Sequence, residues 1–326
     1  MSADRSPRGA SAPAEGSAAA KPQASGSHTS ASLNFTIVAP AGFATDPAAV
    51  DRAEALLVRL GHRVRVDETA RSRFQRFSAP DDARLAAIER VNADANTDVA
   101  VMLRGGYGFT RLLERIDFAG LARAKKRWMG HSDFTAFQLA ALARGGMVTY
   151  AGPMASYDFG AVAPSAFTLA NCFGVLDNGE WQIDCALDGP AGACAGTLWG
   201  GNLAMVAHLA GTPYFPSIDD GILFLEDVGE HPYRIERMFY QLLHAGVLDN
   251  QRAVLLGAFT EYQLNTNDAG YGLDVAIAHL RERVRVPVYT GLPFGHLPDK
   301  LTLPVGGHCE LDACSGRARL RLSRYR

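Results

Sequence analysis

Between residues 35 and 151, short strand-like runs alternate with amphipathic stretches of helical length, and this alternation limits the fold more than any other feature of the chain. Runs at 35–39, 63–66, 99–103, near Met129 and at 148–151 are short and bounded by Pro, Gly or Asp, so they read as strands. Segments 46–60, 80–92 and 118–125 read as helices, the first opened by Asp46-Pro47 and closed by Gly61. Such alternation predicts βαβ units, a parallel sheet and right-handed crossovers. In these sheets the chemistry gathers at the carboxyl ends of the strands. Two strands end in glycine-containing turns there: 99–103 runs into Arg104-Gly-Gly-Tyr-Gly108, and the strand near Met129 into Gly130-His-Ser-Asp133.

Ser132 stands where a strand becomes a helix. Ala136, Leu139, Ala140 and Ala143 follow at helical spacing, and Gly145-Gly146 ends the helix. A serine hydroxyl needs a base to take its proton and donors to hold the oxyanion, and a helix N-terminus supplies free amides and a positive dipole. Taken alone, this turn favours capping, since Ser and Asp are the preferred N-cap residues. Gly-His-Ser-Asp also lacks the second glycine of the G-x-S-x-G elbow. Catalysis therefore requires partners elsewhere.

At 326 residues the chain is long enough for two cores. After a linker and a helical piece at 167–176, the pattern becomes mixed, with strands at 181–187, 221–225 and 253–259, helices at 202–209, 232–244 and 273–283, and β structure to 322. The expected division is a disordered tail at 1–32, an α/β domain at 33–155, a linker at 156–180 and a second domain at 181–326. The tail is Ala, Ser, Pro and Gly with scattered charge and has no apolar signal-like core. No run approaches the ~20 apolar residues of a membrane span. A formal net charge of −2 gives no basic surplus for nucleic acid. The five cysteines are odd in number and lack C-x-x-C pairs, so they read as small buried residues in a reducing compartment, and the cytoplasm is the expected location.

Two positions of the second half could complete a triad with Ser132. Glu226 follows Ile222-Leu-Phe-Leu225, a strand too apolar for the surface, and a carboxylate there needs a partner. His296 lies in Leu292-Pro-Phe-Gly-His-Leu-Pro298, a loop stiffened by proline, and is suited to act as base with Glu226 orienting it. Asp227, Glu230 and Glu236 compete for the acid role, and His308 is the nearest rival for the base. His131, beside the serine, is expected to diverge from it because adjacent side chains on an extended segment do so.

The strings RGGYG, GHSDFTAFQLAALARGG, LWGGNL, LFLEDVGEHPYRIERM and GLPFGHLPDKLTLPVG occur in this order and together resemble the LD-carboxypeptidase family, serine peptidases that include muramoyltetrapeptide carboxypeptidases and microcin-C immunity proteins. The resemblance implies an N-terminal parallel-sheet, three-layer α/β domain of flavodoxin or class I amidotransferase type and a smaller β-rich α+β domain, with the site between them. It places the nucleophile on Ser132, the acid on Glu226 and the base on His296, and an oxyanion hole on the backbone amides of Asp133 and Gly106. It implies release of a terminal D-alanine from murein tetrapeptides, a homodimer, and no metal or other cofactor. Relatives often carry tyrosine where His131 stands. Arg104 and Lys300 are candidates to receive the substrate's carboxylate, with structural ion pairs as the alternative. The competing functions are hydrolysis of an acyl-adenylate-like toxin, and a non-catalytic nucleotide- or phosphate-binding domain in which RGGYG cradles the phosphate.

Overall fold

The computed structural model describes residues 32–326. All but the last residue of the tail expected at 1–32 lies outside the described residues. The first half runs β1 (Asn34–Val38), α1 (Ala48–Arg59), β2 (Arg63–Val66), α2 (Asp81–Ala93), β3 (Val99–Met102), α3 (Phe118–Ala124), β4 (Arg127–Gly130), α4 (Phe134–Gly145) and β5 (Thr149–Ala151). A single π-type turn, Ala155–Phe159, and α5 (Ala166–Asp177) follow. The second half continues with β6 (Trp181–Ala186), β7 (Gly192–Asn202), α6 (Leu203–Leu209), β8 (Ile222–Val228), α7 (Pro232–His244), β9 (Ala253–Thr260), α8 (Leu273–Arg283), β10 (Val288–Thr290), β11 (Leu303–Val305), β12 (His308–Cys314) and β13 (Arg317–Ser323).

Strands β2-β1-β3-β4-β5 pair parallel in that order, the flavodoxin-like arrangement. Every residue of β3 is buried, as a strand covered by helices on both faces must be, and Val99, Ala100, Val101 and Met102 suit that place. On one face α2, α3 and α4 touch in sequence over an aromatic cluster of Phe109, Phe118, Trp128, Phe134 and Phe137. On the other, Phe35 of β1 meets Phe159 and Phe173. The second sheet is seven-stranded, in the order β10-β9-β8-β7-β12-β13-β6. Its β10-β9-β8-β7 half is parallel, and its β7-β12-β13-β6 half antiparallel. This is the α/β domain plus β-rich second domain that the alternation and the resemblance implied.

The two halves are interleaved. Strand β11, deep in the second half of the sequence, pairs antiparallel with β5 and becomes the edge of the first sheet. Helix α4 packs against α6 and β7, and Thr135 Oγ1 accepts the backbone N–H of Asn202 at 3.0 Å across that seam. The segment expected as linker is structured, and its π-type turn lies against α1. Cys172, Cys185 and Cys309 are buried, Cys194 is half-buried and Cys314 exposed, so the expectation of small buried cysteines fails for Cys314. Among the described residues no helix is long and apolar enough to cross a membrane.

Candidate functional site

A cavity of about 730 Å³ opens at the carboxyl edge of the first sheet and is walled by both halves of the chain. Ser132, Asp133, Gly105, Gly106 and Arg104 line it from the first half, and Glu230, His296 and Lys300 from the second.

Ser132 occupies the left-handed region with φ 66°, a conformation costly for a residue with a Cβ. Its carbonyl accepts the Thr135 N–H at 2.9 Å, which fixes the turn from β4 into α4. Neither Ser132 nor Asp133 caps α4 with its side chain. The capping alternative therefore does not account for this turn. The second glycine of the elbow pattern is replaced by Phe134, which points into the core and is fully buried. Gly105 lies directly against the serine: a Cβ there would fall 2.6 Å from Ser132 Oγ. Only glycine lets the β3 turn approach so closely.

The Gly42 N–H donates to the Gly105 carbonyl at 3.1 Å. Because carbonyl and N–H lie trans across one peptide plane, the Gly106 N–H faces the opposite way. Asp133 is buried, and its carboxylate Oδ2 accepts the Phe109 N–H at 3.0 Å. Burial pushes the Asp133 carboxyl up to about 6.

Glu226 ends the apolar part of β8 and is fully buried. Its Oε2 lies 2.8 Å from His296 Nδ1, and its Oε1 accepts from Asn202 Nδ2 at 3.3 Å. A carboxylate can only accept, so the ring proton of His296 sits on Nδ1 and leaves Nε2 with a lone pair. The other acid candidates are engaged elsewhere. Asp227 accepts from Asn202 Nδ2 at 2.9 Å and from the Ala204 N–H at 2.9 Å, and burial beside Glu226 pushes it up to about 6. Glu230 pairs with Arg234 at 2.6 Å, and Glu236 accepts from the Tyr271 hydroxyl at 2.8 Å. His308 starts β12, paired between β7 and β13, and is not part of the cavity wall.

His131 turns to other partners than its neighbour Ser132. Its Nδ1 lies 2.8 Å from the Gly152 carbonyl, and its ring stands edge-on to His296 with centroids 5.1 Å apart. Burial, with help from Lys300 and His296, holds it well below the ordinary histidine range, so it stays neutral beside the second imidazole. Lys300 is also buried, in an ion pair with Asp158 of the π-type turn, which burial holds above the usual carboxylate range. Its ammonium therefore already has a buried carboxylate as partner. Arg104 differs: it pairs with no carboxylate among the described residues and lies over the Tyr157 ring at 5.4 Å, with only a 3.4 Å bond to the Phe43 carbonyl.

Asn202 and Asp158 escaped sequence reasoning. The LWGGNL string contained Asn202, but nothing in it told that the amide reaches both Glu226 and Asp227.

A doubly wound domain with its cavity at the strand ends, and a β-rich domain delivering a carboxylate-held imidazole to that cavity, together define a hydrolase of peptidase type. The chain belongs to the LD-carboxypeptidase family: residues 36–152 match its N-terminal domain and residues 195–311 its C-terminal domain. It is similar to the muramoyltetrapeptide carboxypeptidase of Oxalobacter formigenes, with 42% identity, 90% of this chain and 99% of that one covered, and a TM-score of 0.85. A probable murein peptide carboxypeptidase of Bacillus subtilis is 27% identical over 86% of this chain and 89% of its own length. The microcin C7 self immunity protein MccF shares the fold at a TM-score of 0.82 and 21% identity, covering 90% of this chain and 96% of that one.

Proposed function

We propose that this protein is a serine carboxypeptidase that removes the terminal D-alanine from murein tetrapeptides, with Ser132 as nucleophile, His296 as base and Glu226 as the acid that orients it. The observation that carries this reading is the 2.8 Å contact between buried Glu226 and His296, over a cavity that also holds a left-handed Ser132. His296 Nε2 takes the Ser132 proton as Oγ bonds to the carbonyl carbon of the third residue. The oxyanion is held by the backbone amides of Asp133 and Gly106. The imidazolium, stabilised by Glu226, gives its proton to the departing amine as the C–N bond breaks and D-alanine leaves. Water then adds to the acyl-enzyme, with His296 as base, and the tripeptide is released. His131, neutral, adds no charge against the imidazolium.

A carboxypeptidase must recognise a free carboxylate, and Arg104 takes that role in this reading. Lys300, spent on Asp158, supports the wall instead. The enzyme acts in the cytoplasm, where its five thiols stay reduced, and as the homodimer the family resemblance implies. The test is mass spectrometry of a disaccharide-tetrapeptide incubated with wild type and with Ser132→Ala. Loss of one D-alanine with the wild type alone supports both reaction and nucleophile. Release by Ser132→Ala at the wild-type rate, or no release by either folded protein, overturns the reading.

A further inference from the structure

Arg84 of α2 is fully buried, and the mechanism gives it no part. Its Nη1 donates to the Pro40 carbonyl at 2.5 Å and to the Gly108 carbonyl at 3.0 Å, and Nη2 donates to Asp81 Oδ1 at 2.6 Å. Gly108 makes room for it: at φ 153°, a Cβ there would come 2.6 Å from Arg84 Nη1. The carbonyl of Gly108 and the N–H of Phe109 belong to one peptide unit and point in opposite directions. Arg84 grips the first and Asp133 Oδ2 the second, the latter at 3.0 Å. That peptide unit is therefore locked against rotation, three units along the chain from the Gly105–Gly106 peptide. The latter is anchored at its carbonyl by Gly42.

The grip links three strand ends. Pro40 and Gly42 follow β1, residues 104–109 follow β3, and Asp133 follows β4. Asp133 is buried, and its carboxylate faces the Phe109 and Gly108 amides. Burying a carboxylate costs stability, so Asp133 is a poor choice for packing alone. We infer that Arg84 and the Asp133 carboxylate are positioning residues, which clamp the 104–109 turn from both sides and so set Gly106 and the Asp133 amide in the spacing that an oxyanion requires. The inference rests on the reading of Ser132 as nucleophile. A donor misplaced by even a fraction of an ångström stabilises the transition state less while leaving ground-state binding nearly intact.

The experiment measures kcat and KM on a disaccharide-tetrapeptide for Arg84→Met, Arg84→Lys, Asp133→Ala and Asp133→Asn, with thermal unfolding as a check on folding. In parallel, the rate at which a fluorophosphonate labels Ser132 is followed for each. The serine oxygen bonds to the reagent's phosphorus as fluoride departs and His296 takes the hydroxyl proton, which leaves a phosphoryl oxygen in the same hole. Arg84→Met and Asp133→Ala are expected to lose about 30- to 300-fold in kcat with KM within about threefold, the scale of a weakened oxyanion donor. Their labelling rates fall in proportion. Asp133→Asn, whose amide oxygen still accepts the Phe109 N–H, and Arg84→Lys, which keeps a donor, each recover at least about tenfold of that loss. Unchanged labelling rates in Asp133→Ala and the Arg84 variants overturn the inference, as does a loss carried by KM. If Arg84→Met does not fold, Arg84→Lys and the Asp133 pair decide. A wild type that is labelled at Ser132 but leaves the tetrapeptide intact overturns the substrate, and the labelling rates alone then judge the clamp. A wild type that resists labelling overturns nucleophile and clamp together.

Discussion

Replacing Glu226 with glutamine disturbs the proposed triad through the placement of a single proton. The two oxygens of Glu226 face different partners, Oε2 toward His296 Nδ1 at 2.8 Å and Oε1 toward Asn202 Nδ2 at 3.3 Å. Asn202 is itself fixed, since its Nδ2 donates to Asp227 at 2.9 Å and its Oδ1 accepts the Met205 N–H at 3.3 Å. A glutamine amide must then turn its oxygen to Asn202 and its NH2 to His296. Nδ1 becomes an acceptor, the ring proton moves to Nε2, and the nitrogen that should take the Ser132 proton no longer has a lone pair. The charge opposite the imidazolium disappears as well. Wrong-tautomer substitutions of this kind cost about 10³- to 10⁴-fold in kcat, which corresponds to about 4–5.5 kcal/mol in the barrier. Glutamine has nearly the same shape, so the buried site stays filled. Release of D-alanine followed by mass spectrometry at saturating substrate gives kcat, and substrate titration gives KM, which should change little. A variant that keeps more than a tenth of wild-type kcat would refute the orienting role of Glu226.

Gly105→Ala would place a methyl group 2.6 Å from Ser132 Oγ; kcat is expected to fall by about 100-fold or more with the protein still folded, because the turn and the elbow must separate. Lys300→Met leaves Asp158 buried without its cation and is expected to cost about 3–5 kcal/mol in urea unfolding, most of it recovered when Asp158 is made leucine as well. Asp227 has its carboxyl raised to about 6 in the folded protein, so the folded state binds the extra proton and this group's contribution to stability falls as pH rises from the ordinary carboxylate value of about 4 toward 6. Asp227→Asn should lessen the overall slope, Asp133 keeping its own share, and chemical denaturation at pH 4, 5, 6 and 7 measures this; an unaltered slope would show that Asp227 does not contribute to it.

The parallel sheet was legible because its strands are short apolar runs closed by turn residues, and Val99 to Met102 announced a strand buried on both faces. Ser132, Glu226 and His296 each carried a local sign: a strand-to-helix turn, a carboxylate after an apolar run, and a proline-stiffened loop. What local signs lack is pairing. Glu226 and His296 are 70 residues apart, and Asp158 and Lys300 are 142 apart, so no periodicity links them. For the proposed triad, strings shared with a family filled that gap; for Lys300 nothing did, and a buried ion pair stands where a substrate contact was one expectation. Arg84 was hidden for another reason. An arginine in a polar-looking helix reads as solvated, and only the carbonyls of Pro40 and Gly108, from two other strand ends, reveal why it is inside.

On a linear map the two matched segments, 36–152 and 195–311, look like modules that could be exchanged between relatives. The return of β11 to the first sheet forbids it. His296 hangs on the stretch between β10, an edge of the second sheet, and β11, an edge of the first, so the two sheets are stitched together by the very segment that carries this histidine. A chimaera cut between the segments would inherit its first sheet's edge strand from the wrong parent, and the halves of a chain built this way cannot part without breaking the ladder between β5 and β11.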